Sequence, residues 1–185
     1  MGTLVYTAIT SLDGYVNDAS GGFDWAAPDE EVHAFVNDLE RPVVTHLYGR
    51  RLYEVLVAWE CMDVSAEPDV MRDYQQLWQA ADKVVYSTTL EAVSSANTRL
   101  ERVWDPQAVR RVLADSPGPV SLGGPGLAAH AFRDGLVEEV HLFLNPVLVG
   151  AGTRALPEGV RLDLELVDEH RFAGGVVHLH HTVRR

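Results

Sequence analysis

The 185-residue chain has a single cysteine, Cys61, so it builds neither an internal disulfide nor a thiolate metal cage. With no nucleophile signature around it, Cys61 is expected to be a small packed side chain. Long apolar runs are missing too, none approaching the roughly 20 residues that a membrane-spanning helix needs. Basic residues are scarce, 15 against 27 acidic, and the net charge of −12 argues against nucleic acid or anionic membrane as a partner. No charged-then-apolar leader opens the chain, and a cytoplasmic location is expected. There is no internal repeat, no GxGxxG, no Walker lysine, and no H-x-E with P-C-x-x-C deaminase signature.

What is present suits one soluble domain: 46% of residues are hydrophobic, enough for a core between helices and a sheet. Strand and helix signals alternate, the mark of an α/β layer architecture. Thr3 to Thr10 is apolar almost throughout, as a central strand covered on both faces would be. A turn-rich tract, Asn17 to Gly22, follows it, and Pro28-Asp29-Glu30-Glu31 then starts a helix that Pro42 closes. Val43 to Tyr48 reads as a second strand, Pro68 to Asp82 as an amphipathic helix, and Val84 to Ser87 as a short strand. Arg99 to Val103 reads as an edge strand, and Asp105-Pro106 supplies cap and first residue for a helix to Asp115. Leu162 to Arg171 and Val176 to Val183 flank Ala173-Gly174-Gly175, which predicts a closing antiparallel hairpin.

The stretch Val120 to Leu156 carries the most information. A strand runs into Gly123-Gly124-Pro125-Gly126, where the lack of Cβ lets main-chain N–H groups approach a bulky ligand. The helix Leu127 to Arg133 begins there, and its first N–H groups and positive dipole end suit a phosphate or pyrophosphate. On the residues alone, a plain tight turn remains the other reading. The helix is followed by Gly135-Leu136-Val137-Glu138-Glu139, a strand, Pro146-Val147-Leu148-Val149-Gly150 and Gly152. Upstream, in order, stand the run Ala8 to Val16 with its Ser11-Leu12-Asp13-Gly14 turn, then Tyr48-Gly49-Arg50-Arg51-Leu52-Tyr53-Glu54, then Lys83 to Leu90.

Taken together these blocks resemble the dihydrofolate reductase superfamily, most closely the reductase domain of the riboflavin-pathway bifunctional deaminase-reductases and stand-alone proteins related to it. Leu52 stands where that family commonly has threonine. The resemblance implies a three-layer αβα fold with a mostly parallel central mixed sheet and a C-terminal hairpin. It also implies an NADP(H)-dependent reductase, delivering hydride to a C=N or C=O carbon of a small heterocycle of pterin or ribosylamino-pyrimidine type, and a homodimer. The deaminase half is absent from this chain. A catalytically silent NADP-binding protein of the same fold is the alternative.

By the same resemblance, the cofactor is expected to meet Ala8, Gly49, Arg50, Arg51, Ser87, Thr88, Gly123, Gly124, Gly126 and Leu127. Either Arg50 or Arg51 would read the 2′-phosphate, for which a guanidinium fork is suited. Trp25 and Phe35 are expected on the substrate side. Glu30, Glu31 and Asp13 are the candidate acids, with one of the two glutamates turned into a substrate cleft and desolvated so that it holds a proton near neutral pH. His178, His180 and His181 invite a metal reading, but His181 points away from the other two and no partner set at zinc-like spacing is evident. No metal is expected, and the three read as strand residues on a half-exposed surface.

Overall fold

The computed structural model describes residues 2–184. Its first strand, β1 (Leu4–Ser11), alternates as a strand must: Leu4, Tyr6, Ala8 and Thr10 are buried on one face, while Ile9 packs on the other. Next come the short β2 (Tyr15–Asn17), α1 (Glu30–Glu40), β3 (Thr45–Gly49), α2 (Arg50–Leu56), α3 (Asp69–Ala80), β4 (Asp82–Tyr86) and β5 (Thr98–Glu101). The rest are α4 (Pro106–Asp115), β6 (Val120–Gly123), α5 (Pro125–Arg133), β7 (Glu139–Asn145), β8 (Thr153–Arg154), β9 (Leu164–Arg171) and β10 (Val177–Val183). Eight strands form one sheet in the order β5-β4-β3-β6-β1-β7-β10-β9. It is parallel from β5 to β7, and the last two strands are the antiparallel hairpin expected from the Gly174-Gly175 turn.

Local chemistry sets the helix ends. Asp29 accepts from the Val32 amide at 2.9 Å and Asp105 from the Gln107 amide at 2.8 Å, each satisfying a donor that the first turn leaves without a partner. At the other end of α3 the chain's only lysine, Lys83, donates to the carbonyls of Trp78 and Ala81, both at 2.8 Å. α4 and α5 cover one face of the sheet through Val109, Leu113, Ala128, Ala131 and Phe132, which pack on Tyr6, Leu47 and Leu122. α1 covers the other face at Phe143 and Phe172, and α2 covers it at Tyr48 and Val85. Three layers result.

The sequence did not foretell the small sheet of β2 and β8. Gly152 permits it, with φ at +149° and no room for a Cβ against the main-chain carbonyl of Asn17. Tyr6 donates its hydroxyl to the Ala155 carbonyl at 2.6 Å, drawing this segment across the end of β1. Burial also assembles a polar cluster under α1, well away from that end. Glu40 Oε2 lies 3.5 Å from His46 Nδ1, a spacing that would suit an ion pair. Burial instead drives both toward their neutral forms: it pushes Glu40 up to about 7, and it lowers His46 to about 3 with help from the charge of Lys83. The pair is neutral: Glu40 Oε2 and His46 Nδ1 have no hydrogen-bond partner among the described residues, and the one long bond from Ser121 to Glu40 Oε1 does not offset the desolvation.

Candidate active site

Strands β1, β3, β4, β6 and β7 end side by side at Ser11, Gly49, Tyr86, Gly123 and Asn145, so whatever follows them lines one edge of the sheet. This is where open α/β sheets hold ligands. α2 and α5 both start here, with Gly49 and Gly124 as caps, and neither start is satisfied by a side chain. A Cβ built on Gly124 would lie 3.6 Å from the Gly49 nitrogen, so the two starts are neighbours. Gly124 has φ of +92°, which a side chain would strain, and Gly126 opens onto empty space. Together they leave the positive end of α5 open, with the N–H groups of Gly126 and Leu127 in its first turn.

Gly123 serves differently: a Cβ there would run into Leu52 and the Tyr48 ring. Leu52, standing where a hydroxyl is common, packs beneath the turn and makes this glycine a packing requirement. Leu127 and Ala8 are buried in the core beneath the edge, with Ala8 directly under Thr10 on the same strand face.

Arg50 reaches from α2 to the loop after β4. Its Nε donates to Glu54 at 2.9 Å and an Nη to Thr89 Oγ1 at 2.6 Å. Arg51 is exposed and has no hydrogen-bond or ion-pair partner among the described residues. Ser87 spends its hydroxyl accepting from the Thr89 and Leu90 amides at 3.2 and 2.9 Å, while Thr88 is exposed beside it. Sequence reasoning overlooked Arg102, which ties this loop down by donating to the carbonyls of Ser87, Leu90 and Glu91.

Two clefts lie near this edge. The larger, about 710 Å³, runs between β5 and α4 past Arg99, Arg102 and Arg111, and reaches the edge only at Tyr86. The smaller, about 150 Å³, is lined by Thr10, Gly14, Leu142, Leu144, Arg154, Ala155 and Leu156. Its place at the ends of β1 and β7, one strand over from the Gly124 turn, makes it the better seat for a reacting ring. Arg154, 5.2 Å from the Tyr15 ring and 3.1 Å from Glu158, puts a cation in its wall. Nothing in the sequence pointed to it, because β8 is only two residues long and has no periodicity of its own.

The candidate acids come out otherwise than expected. Glu30 and Glu31 are both exposed, so neither is the desolvated inward carboxylate; Glu31 accepts from the Ala173 amide at 2.9 Å and ties α1 to the hairpin turn. Asp13 accepts from the Gly150 and Val149 amides at 2.8 and 3.2 Å. Its carboxyl is held below its ordinary range, first by the Ser11 hydroxyl and then by those amides. It therefore orders the turn as an anion and has no proton to give near neutrality.

Phe35, half-buried between α1 and the sheet, packs on the buried Phe143, Phe172 and His178 and against the exposed His170 at the rim. Trp25 sits in a short 3-10 turn, Asp24–Ala26, with its indole N–H buried and lacking a partner among the described residues. Cys61 is exposed, not packed, since it follows the last turn of a 3-10 helix at the surface. His178 is buried against Phe35 and Phe143 and is not a surface residue: α1 covers that part of β10.

The architecture is that of the dihydrofolate reductase-like fold, with its ligand edge at the C-terminal ends of the parallel strands. Within it, the chain belongs to the RibD C-terminal domain family, whose family model matches residues 2–178, and that family is one of reductases of riboflavin-pathway type. The chain is similar to the uncharacterised protein YyaP of Bacillus subtilis, 26% identical over 95% of this chain and 92% of that protein. Among solved structures it is similar to a putative riboflavin biosynthesis protein from Shewanella sp. PV-4, with a TM-score of 0.77, 18% identity and 99% of both chains covered. It also matches a Thermotoga maritima diaminohydroxyphosphoribosylaminopyrimidine deaminase/5-amino-6-(5-phosphoribosylamino)uracil reductase, with a TM-score of 0.66 and 13% identity. There, 99% of this chain spans 57% of the larger one.

Proposed function

We propose that the protein is an NADPH-dependent reductase of a small heterocyclic C=N or C=O compound. The observation that carries this reading is the pair of uncapped helix starts at Gly49 and Gly124, side by side at the strand ends. A Cβ at Gly124 would enter the space between them, and the lack of one leaves room for a pyrophosphate to approach both starts. Gly126 and Leu127 would offer it N–H groups, and Arg50, with Arg51 one residue on, would meet the 2′-phosphate. When bound, the nicotinamide supplies a hydride, which forms the new C–H bond.

The chain's own residues orient and enclose. Leu142 and Leu144 give the substrate ring an apolar seat beside the buried Thr10 hydroxyl, and Arg154 gives an anionic substituent a partner, as a phosphorylated ribosylamino-pyrimidine would require. The proton for the substrate nitrogen or oxygen comes from water or from the substrate, because Asp13 is held as an anion and Glu30 and Glu31 stand in solvent. The same reading includes a cytoplasmic homodimer; no helix among the described residues is long and apolar enough to cross a membrane. A screen of pterin-type and ribosylamino-pyrimidine substrates, followed at the nicotinamide absorbance, tests the reading. NADPH oxidation dependent on one of them is expected. Tight NADPH binding with no turnover on any would favour the silent binder.

A further inference from the structure

Strands β7 and β10 pair antiparallel with His141 opposite His180, and Glu139 lies two residues before His141 on the same face. His180 Nε2 is 3.0 Å from Glu139 Oε2, and His141 Nε2 is 3.7 Å from the same oxygen. All three ligand atoms fall within 4.8 Å of one another. A tetrahedral zinc ion with bonds of 2.0–2.2 Å holds its ligand atoms about 3.3 Å apart, and the two measured separations bracket that spacing. The other ring nitrogen of His141 is also occupied: Nδ1 lies 2.9 Å from Nε2 of His178, which α1 buries under Phe35. In the tautomer that donates Nδ1–H to His178, His141 keeps its Nε2 lone pair free beside Glu139 and His180, whose ring stacks on that of His141 at 4.1 Å. A hydrogen-bonded outer partner commonly fixes the tautomer of a ligating histidine, and here His178 takes that place.

We propose that Glu139, His141 and His180 form a binding site for one divalent cation of the zinc class, with His178 as the residue that orients His141. Two imidazoles and one carboxylate select against magnesium and calcium, which prefer oxygen ligands, and leave a fourth position for water. The site is at the start of β7 on the face that α1 covers, whereas Leu142 and Leu144 line the cleft from the opposite face, so the sheet lies between the ion and the cleft. The ion therefore clamps the C-terminal hairpin to the parallel sheet and takes no part in hydride transfer. Sequence spacing concealed the group because 38 residues of chain separate His141 from His180.

The test uses the full chain stripped with chelator, then titrated with zinc chloride by calorimetry and with cobalt(II) by visible absorption. One zinc per chain, a raised Tm and a tetrahedral cobalt spectrum are expected. His180→Ala should weaken zinc by about a hundredfold or more. His178→Phe, which keeps the aromatic packing and all three ligands, should weaken it by about ten- to a hundredfold. Cys61→Ser should leave binding unchanged. If His180→Ala does not fold, Glu139→Gln at the half-buried strand start serves as the ligand variant with the same expectation. Absence of zinc binding by the wild-type chain, undiminished affinity in the ligand variant, or loss of binding with Cys61→Ser would overturn the proposal.

Discussion

Arg50 is held between Glu54 and Thr89 where α2 meets the loop after β4, which presents a guanidinium fork already oriented for a phosphate. Replacing it with alanine should weaken NADPH by about ten- to a hundredfold and leave NADH nearly unchanged, as a cofactor titration would show. Equal losses for both cofactors would make it a structural arginine and move the role to Arg51. The exposed ion pair with Glu54 contributes little, so stability should change by under about 1 kcal/mol. Glu30→Gln and Glu31→Gln should each keep wild-type turnover on an authentic substrate; loss of the acidic limb of the pH–rate profile in either would restore a carboxylate as proton donor. Glu40 makes a prediction of the opposite kind, because burial raises its folded value to about 7 from the ordinary 4.5. The folded chain then holds a proton that the unfolded chain has lost, so this contribution is complete below pH 4.5 and fades as pH rises to 7. His46, lowered from 6.5 to about 3, works in the other direction and costs stability as pH falls below 6.5. Glu40→Gln removes only the first effect. Urea unfolding should find the variant gaining on wild type between pH 4.5 and 7.5, and a constant difference would contradict the neutral-carboxyl assignment.

Among the elements, those with strong local chemistry are legible in the sequence. Asp29, Asp105-Pro106 and the glycine turn at 123–126 mark helix starts that the structure puts within a residue or two of expectation. The terminal hairpin and the edge position of β5 follow equally well from alternation and turn residues. What could not be read is what tertiary register decides. β8 owes its existence to Gly152 passing close to Asn17, and Arg154 enters the cleft wall only because of that contact. Gly152→Ala should therefore destabilise the chain by roughly 2–4 kcal/mol, since the added methyl meets main chain that has nowhere to go. An unchanged Tm would show that the β2–β8 sheet is dispensable. Likewise, Glu30 and Glu31 are candidate acids by resemblance alone, which does not fix the rotation of the helix they begin. Rotation of α1 decided instead that Phe35 faces the core and that both glutamates face water.

At the scale of the whole molecule, β9 is the feature that a single copy leaves unfinished. Every residue of this edge strand is exposed, Leu164, Leu166 and Val167 included, and among the described residues no strand neighbours its outer backbone. Natural sheets seldom leave such an edge bare, and the expected homodimer would cover it. Sedimentation should show a dimer that Val167→Glu converts to monomer; an unaltered dimer would locate the interface elsewhere. The central claim concerns the C-terminal ends of the parallel strands, where two helix starts meet. Gly126 gives the cleanest access to it, because its Cβ would touch no protein atom and its φ is ordinary, whereas Gly124 carries backbone strain as well. The direct measurement is calorimetric titration of NADPH into wild type and Gly126→Val. The account predicts one NADPH per wild-type chain and a loss of at least about tenfold in the variant at unchanged Tm; no binding by the wild type, or equal affinity in the variant, would contradict it.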